Sequence, residues 1–122
     1  MSVIDELLSG VTIPPMARAR QSFPRPVLVD VPEVVRREMS KPGLLSPVKP
    51  GDKVAVTVGS RGIANLPVIV REIIAALKRV GADPFIVPTM GSHGGATAEG
   101  QADVLAGLGI TPEFVGAPIQ AT

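Results

Sequence analysis

At 122 residues, 45% hydrophobic and 19% charged, the chain is long enough for one hydrophobic core, or a piece of one, and too short for two. Twelve Lys+Arg balance eleven Asp+Glu, and Phe23, Phe85 and Phe114 are its only Phe, Tyr or Trp residues, so it lacks both the basic stripe and the stacking platform of a nucleic-acid binder. Zero Cys excludes disulfides and thiolate-ligated metals, no apolar run approaches the roughly 20 residues of a membrane span, and the acidic start Met1–Glu6 is unlike a signal peptide; the expected location is the cytoplasm, with no membrane partner.

Proline and glycine are segregated. Residues 1–50 hold eight prolines and two glycines, whereas residues 51–122 hold five prolines and eleven glycines. In the first region, two helical turns are expected over Val3–Leu8, ended by Gly10 and Pro14-Pro15. Met16–Asp30, cut by Pro24 and Pro26, is expected to be at most an edge strand or extended arm. A second short helix is expected at Glu33–Met39, entered through Pro32 and stopped before Pro42-Gly43. Proline fixes φ and lowers the entropy lost on ordering, which suits a segment that lies over something else. Residues 1–50 are therefore read as a proline-rich, extended N-terminal arm with short helices.

From Gly51 the pattern becomes regular. Lys53-Val54-Ala55-Val56-Thr57-Val58 reads as a strand with three valines on one face. Asn65 is expected to cap a helix from about Leu66 to Val80, closed by Gly81, with Arg71, Glu72, Lys78 and Arg79 facing water. So narrow a polar stripe predicts cover on more than one side. Pro84–Pro88 is a short buried strand. Thr97 can cap the next helix, where Ala98, Ala102 and Leu105 share a face and Gly107 and Gly109 end it, and residues 113–116 are expected to start a third strand. This order predicts an α/β fold, a Rossmann-like parallel sheet segment (β-α-β-α-β), as part of a larger N-terminal domain.

In a parallel sheet, the loops Gly59–Asn65 and Gly91–Thr97 leave from one edge, where open α/β sheets bind ligands. Both lead into helix N-termini, which favour anions, and glycine permits close approach. Arg61 is suited to holding a carboxylate or phosphate, Ser60, Ser92 and Thr97 to adding hydroxyl bonds, and His93 to acting as a general base. Bland readings stand beside these. Arg61 suits a solvated or helix-capping role, His93 a structural one, and the glycines simple turns and tight packing. Neither loop carries the P-loop or dinucleotide fingerprint, and His93 alone cannot build a metal site.

One pattern joins both loops. Gly91-Ser92-His93-Gly94-Gly95-Ala96-Thr97-Ala98-Glu99 resembles the Gly-Thr-His-Arg-x-x-Thr-x-Glu segment of the nickel-pincer-nucleotide-dependent lactate racemase family, with Ser for Thr and Gly94 for Arg. Val58-Gly59-Ser60-Arg61 is similar to that family's Asp-x-Thr-Arg segment, keeping the Arg, replacing Thr by Ser and lacking the acid. The resemblance runs from about Lys53 to Gly116.

It implies that His93 is the first of two catalytic histidines, taking the hydroxyl proton of a small anionic 2-hydroxy acid while hydride moves from C2 to the cofactor. It also implies that Arg61 contacts the anionic substrate or cofactor. From the loops themselves, Ser60, Ser92, Gly94, Gly95 and Thr97 are expected to complete the anion-binding set. The family's cofactor-tethering lysine, nickel-binding histidine and second catalytic histidine come later than the matched region, and Lys41, Lys49, Lys53 and Lys78 have no matching context. The chain is thus expected to be the N-terminal segment of a racemase or epimerase, or to work with a second subunit, and to be inactive alone. The alternative is a non-catalytic α/β module that binds an anion or a partner through the same loops.

Overall fold

The computed structural model describes residues 2–12 and 14–121. Its elements are α1 (Val3–Leu8), α2 (Val31–Met39), β1 (Lys53–Val58), α3 (Leu66–Arg79), β2 (Asp83–Pro88), a 3-10 turn (His93–Ala96), α4 (Ala98–Gly107) and α5 (Pro112–Val115). The fold is mixed α/β. Strands β1 and β2 pair in parallel from Lys53↔Asp83 to Val58↔Pro88, joined through α3, as expected of a β-α-β unit.

Alternation along β1 turns Val54, Val56 and Val58 toward the helices and leaves Lys53, Ala55 and Thr57 exposed. Val58 joins Val70 and Ile74 of α3, Ile86 of β2, Leu105 of α4, and Ile110, Val115 and Ala117 in one core. Ile86, Leu105 and Ile110 are wholly buried, so truncating any of them to Ala should cost about 3 kcal/mol. The other face of the sheet, with Ala55 and Thr57 beside the half-buried Phe85 and Val87, carries no helix of the described residues.

The third strand is not at 113–116. That stretch is the helical turn α5, because Thr111 accepts from the Phe114 N–H as N-cap, Pro112 fits the first turn, and Gly116 takes the left-handed conformation after it. Start and stop signals there outweigh the apolar pattern. Parallel pairing resumes later and only as a single bridge, Ile86↔Ile119. The Ile86 N–H donates to Pro118 O and its carbonyl accepts from the Gln120 N–H. The described sheet is two-stranded, and a full β-α-β-α-β sheet is not formed.

Cover on α3 comes from β2 on the sheet side and from α2 and α5. Glu72, expected to face water, is instead 7% exposed, because α2 brings Arg36 onto it. Arg36 Nη1 donates to Glu72 Oε2 at 3.1 Å, and Arg71 Nη2 donates to Oε1 at 3.3 Å. Both carboxylate oxygens are thereby satisfied, which a buried charge requires. Arg71 also lies 5.2 Å from the centroid of the Phe114 ring on α5.

Cover by residues 1–50 is confined to their last part. Every described residue from 2 to 30 is exposed, and no strand forms there. α1 is closed by a reciprocal Ser2–Asp5 capping box but buries none of its residues. An arm lying over the sheet is therefore not what the described residues form.

Candidate functional site

The two glycine-rich loops meet because the strands before them end in register. Val58 is paired with Pro88, and the Thr89 N–H donates to the Val58 carbonyl at 2.8 Å, extending the ladder one step past β2. Ser60 and His93 thus leave the same sheet edge. Their side chains join, with Ser60 Oγ 2.6 Å from His93 Nδ1. Thirty-three residues of chain separate the pair, so the contact is a product of topology rather than of local turn chemistry.

A cleft of about 630 Å³ opens beside this pair. Its floor is apolar, built from Val56 and Val58 of β1 and from Leu66, Ile69, Val70 and Ile73 of α3. Its polar side chains are Thr57, Ser60, Arg61, Thr89 and His93, of which Arg61, Thr89 and His93 are exposed at its mouth. Arg61 is exposed and, among the described residues, forms no salt bridge. An apolar pocket with a few convergent polar groups is the usual form of a small-molecule site.

The His93 loop is rigidly framed by α4. Thr97 caps that helix, accepting from the Gly100 N–H at 3.1 Å while its hydroxyl donates to the Gly94 carbonyl at 3.2 Å. Gln101 Nε2 donates to the Gly91 carbonyl at 2.8 Å. Between these anchors Gly91, Gly94, Gly95 and Ala96 all take positive φ, a conformation glycine adopts freely and alanine at a cost. Gly94 and Gly100 touch backbone to backbone. A Cβ on Gly94 would lie 2.4 Å from the Gly100 carbonyl carbon, and one on Gly100 would lie 2.0 Å from the Gly94 oxygen.

Of the residues expected at the site, the structure brings together Ser60, Arg61 and His93. Thr97 is engaged as a helix cap. Gly94 serves the contact between the loop and α4, and Ser92, Gly94 and Gly95 lie outside the lining of the cleft. Asn65 does not cap α3 with its side chain; it sits at φ 62° and turns the chain instead. Gln101 was not anticipated. Its signal was its place one turn after Thr97, on the side of α4 that looks back toward the loop.

Among the described residues none is placed to tether the nickel-pincer cofactor that the resemblance implies. None of the four lysines lines the cleft. Lys53 begins β1, at the end opposite Ser60, and Lys78 Nζ donates to the Gly116 carbonyl. Among the described residues no group of three or more His, Cys, Asp or Glu is placed to hold a metal ion. Likewise, no described helix is long and apolar enough to cross a membrane. Comparison of the chain with protein-family models, with curated proteins and with solved structures finds no match.

Proposed function

We propose that this chain supplies the proton-transfer half of the active site of a lactate racemase-like isomerase, a racemase or epimerase of a small anionic 2-hydroxy acid. The observation that carries the reading is the convergence of Ser60, Arg61 and His93 at the mouth of one cleft on the carboxyl edge of the sheet. The Arg61 guanidinium holds the substrate carboxylate, assisted by the positive end of α3, whose first residue Leu66 lines the same cleft. His93 accepts the proton of the 2-hydroxyl group. The apolar floor takes the short alkyl part of the acid.

These residues provide binding and a base, and no acceptor for hydride. In this reading the remainder of the enzyme, or a second subunit, would hold the nickel-pincer nucleotide, which would supply the acceptor when bound. It also extends the two described strands into a larger Rossmann-like sheet, continuing the parallel pairing begun at Ile119. The exposed apolar side chains of Val3, Ile4, Leu7 and Leu8 on α1 suit burial against that remainder.

The test is racemisation by the complete enzyme. His93→Ala should abolish interconversion of the two enantiomers of a short 2-hydroxy acid, and wild-type rates in that variant would overturn the assignment. A complete enzyme that binds the acid through Arg61 and never inverts it would leave the anion-binding module as the function.

A further inference from the structure

Histidine acts as a base through whichever ring nitrogen lacks a proton, and that nitrogen is chosen by the hydrogen bond the other one makes. In this chain the other partner is visible: Nδ1 lies 2.6 Å from Ser60 Oγ. We propose that Ser60 is the positioning residue of His93, accepting a hydrogen bond from Nδ1–H and so leaving the unprotonated Nε2 as the proton acceptor at the mouth of the cleft. The consequence for catalysis rests on the function proposed above; the proton position does not.

Three features make the arrangement specific. His93 is fixed from behind, its backbone N–H donating to the Met90 carbonyl and its loop held to α4 through Gly91, Gly94 and Thr97. Ser60 lies two residues past the end of the β1 ladder, where the Thr89 N–H donates to the Val58 carbonyl. No Asp or Glu lines the cleft, so the role that a carboxylate plays toward many catalytic histidines falls to a hydroxyl. A neutral acceptor orients the ring without adding negative charge beside the carboxylate that Arg61 is suited to hold. The opposite polarity, with Ser60 O–H donating to Nδ1, would put the proton on Nε2 and make Ser60 an activated nucleophile. The two polarities differ in one proton position.

That position is measurable, because His93 is the only histidine of the chain. Nitrogen-15 spectra of the imidazole of this chain, recorded without ligand at a pH where the ring is neutral, report which nitrogen carries hydrogen. The wild type should favour Nδ1–H, and Ser60→Ala should move the tautomer ratio roughly fivefold toward Nε2–H, about the worth of one hydrogen bond. Ser60→Thr should restore the wild-type ratio, and dispersed backbone amide signals would show that each variant is folded. A wild-type ring protonated on Nε2, or a ratio unchanged in a folded Ser60→Ala chain, overturns the proposal. In the complete enzyme, Ser60→Ala should lower kcat more than it raises KM, with Ser60→Thr rescuing it. A chain with the expected tautomer that belongs to an enzyme incapable of racemisation would keep this inference and lose the function proposed above.

Discussion

The loops Gly59–Asn65 and Gly91–Thr97 are both glycine-rich, leave the same sheet edge and end at helices, yet they are built differently. The second is clamped: Thr97, Gln101 and the backbone contact of Gly94 with Gly100 fix it to α4. The first has space around it. A Cβ on Gly62 would meet nothing within 4 Å, and one on Gly59 would make an ordinary contact with the Thr89 carbonyl. Glycine in the second loop supplies left-handed turns at Gly91, Gly94 and Gly95 and close packing at Gly94, whereas Gly59 and Gly62 of the first take no positive φ and meet no close neighbour. A clamped loop that carries His93 faces an open one that carries Arg61 and Ser60, and their join is the Ser60–His93 hydrogen bond.

Substitutions can break this contrast. Gly100→Ala should have the largest effect, a loss of about 3 kcal/mol of stability in chemical denaturation, because the new Cβ meets backbone that cannot move aside. Arg61→Ala should lower affinity for a short 2-hydroxy acid about tenfold in calorimetry while leaving the denaturation midpoint unchanged, since its charge has no described ion-pair partner to lose. Thr97→Ala and Gln101→Ala should each cost about 1 kcal/mol, the worth of a cap and of a side chain to carbonyl bond. Gly62→Ala, the open-loop counterpart of Gly100→Ala, should change stability by less than about 0.5 kcal/mol.

A last and smaller effect lies away from both loops. The Ser2 backbone N–H and hydroxyl hold the Asp5 carboxyl below its ordinary range. A group depressed in the folded state stabilises above its unfolded value and loses that contribution as pH falls through the folded one. Helicity of α1 should therefore fray on acidification below the ordinary Asp range, followed by the Val3–Leu8 amide shifts. The chemical shifts of Gly91–Thr97 should not follow that transition.

Much of the glycine-rich half was legible because its signals are local. Alternating valines, the Thr97 cap and Gly81 mark β1, α4 and the end of α3, and parallel topology alone placed the two loops on one edge. Residues 113–116 misled because Phe114 and Val115 read as strand while the flanking Thr111, Pro112 and Gly116 favour a helical turn. Glu72 read as exposed because its partner Arg36 lies 36 residues away on α2. The site divides in the same way. Ser60, Arg61 and His93 could be nominated from residue type and place, and Thr97 as a cap from its local signal, whereas the packing role of Gly94 and the Gln101 anchor depend on how α4 meets the loop.

The central claim, that the two loops make one site for a 2-hydroxy carboxylate, is tested most directly by titrating this chain with lactate and, separately, with propionate, which lacks the hydroxyl group. The account predicts that the His93 imidazole signals move saturably with lactate, that propionate binds more weakly, and that Arg61→Ala weakens both. Equal responses to the two acids, or a His93 signal that lactate does not move, would contradict it.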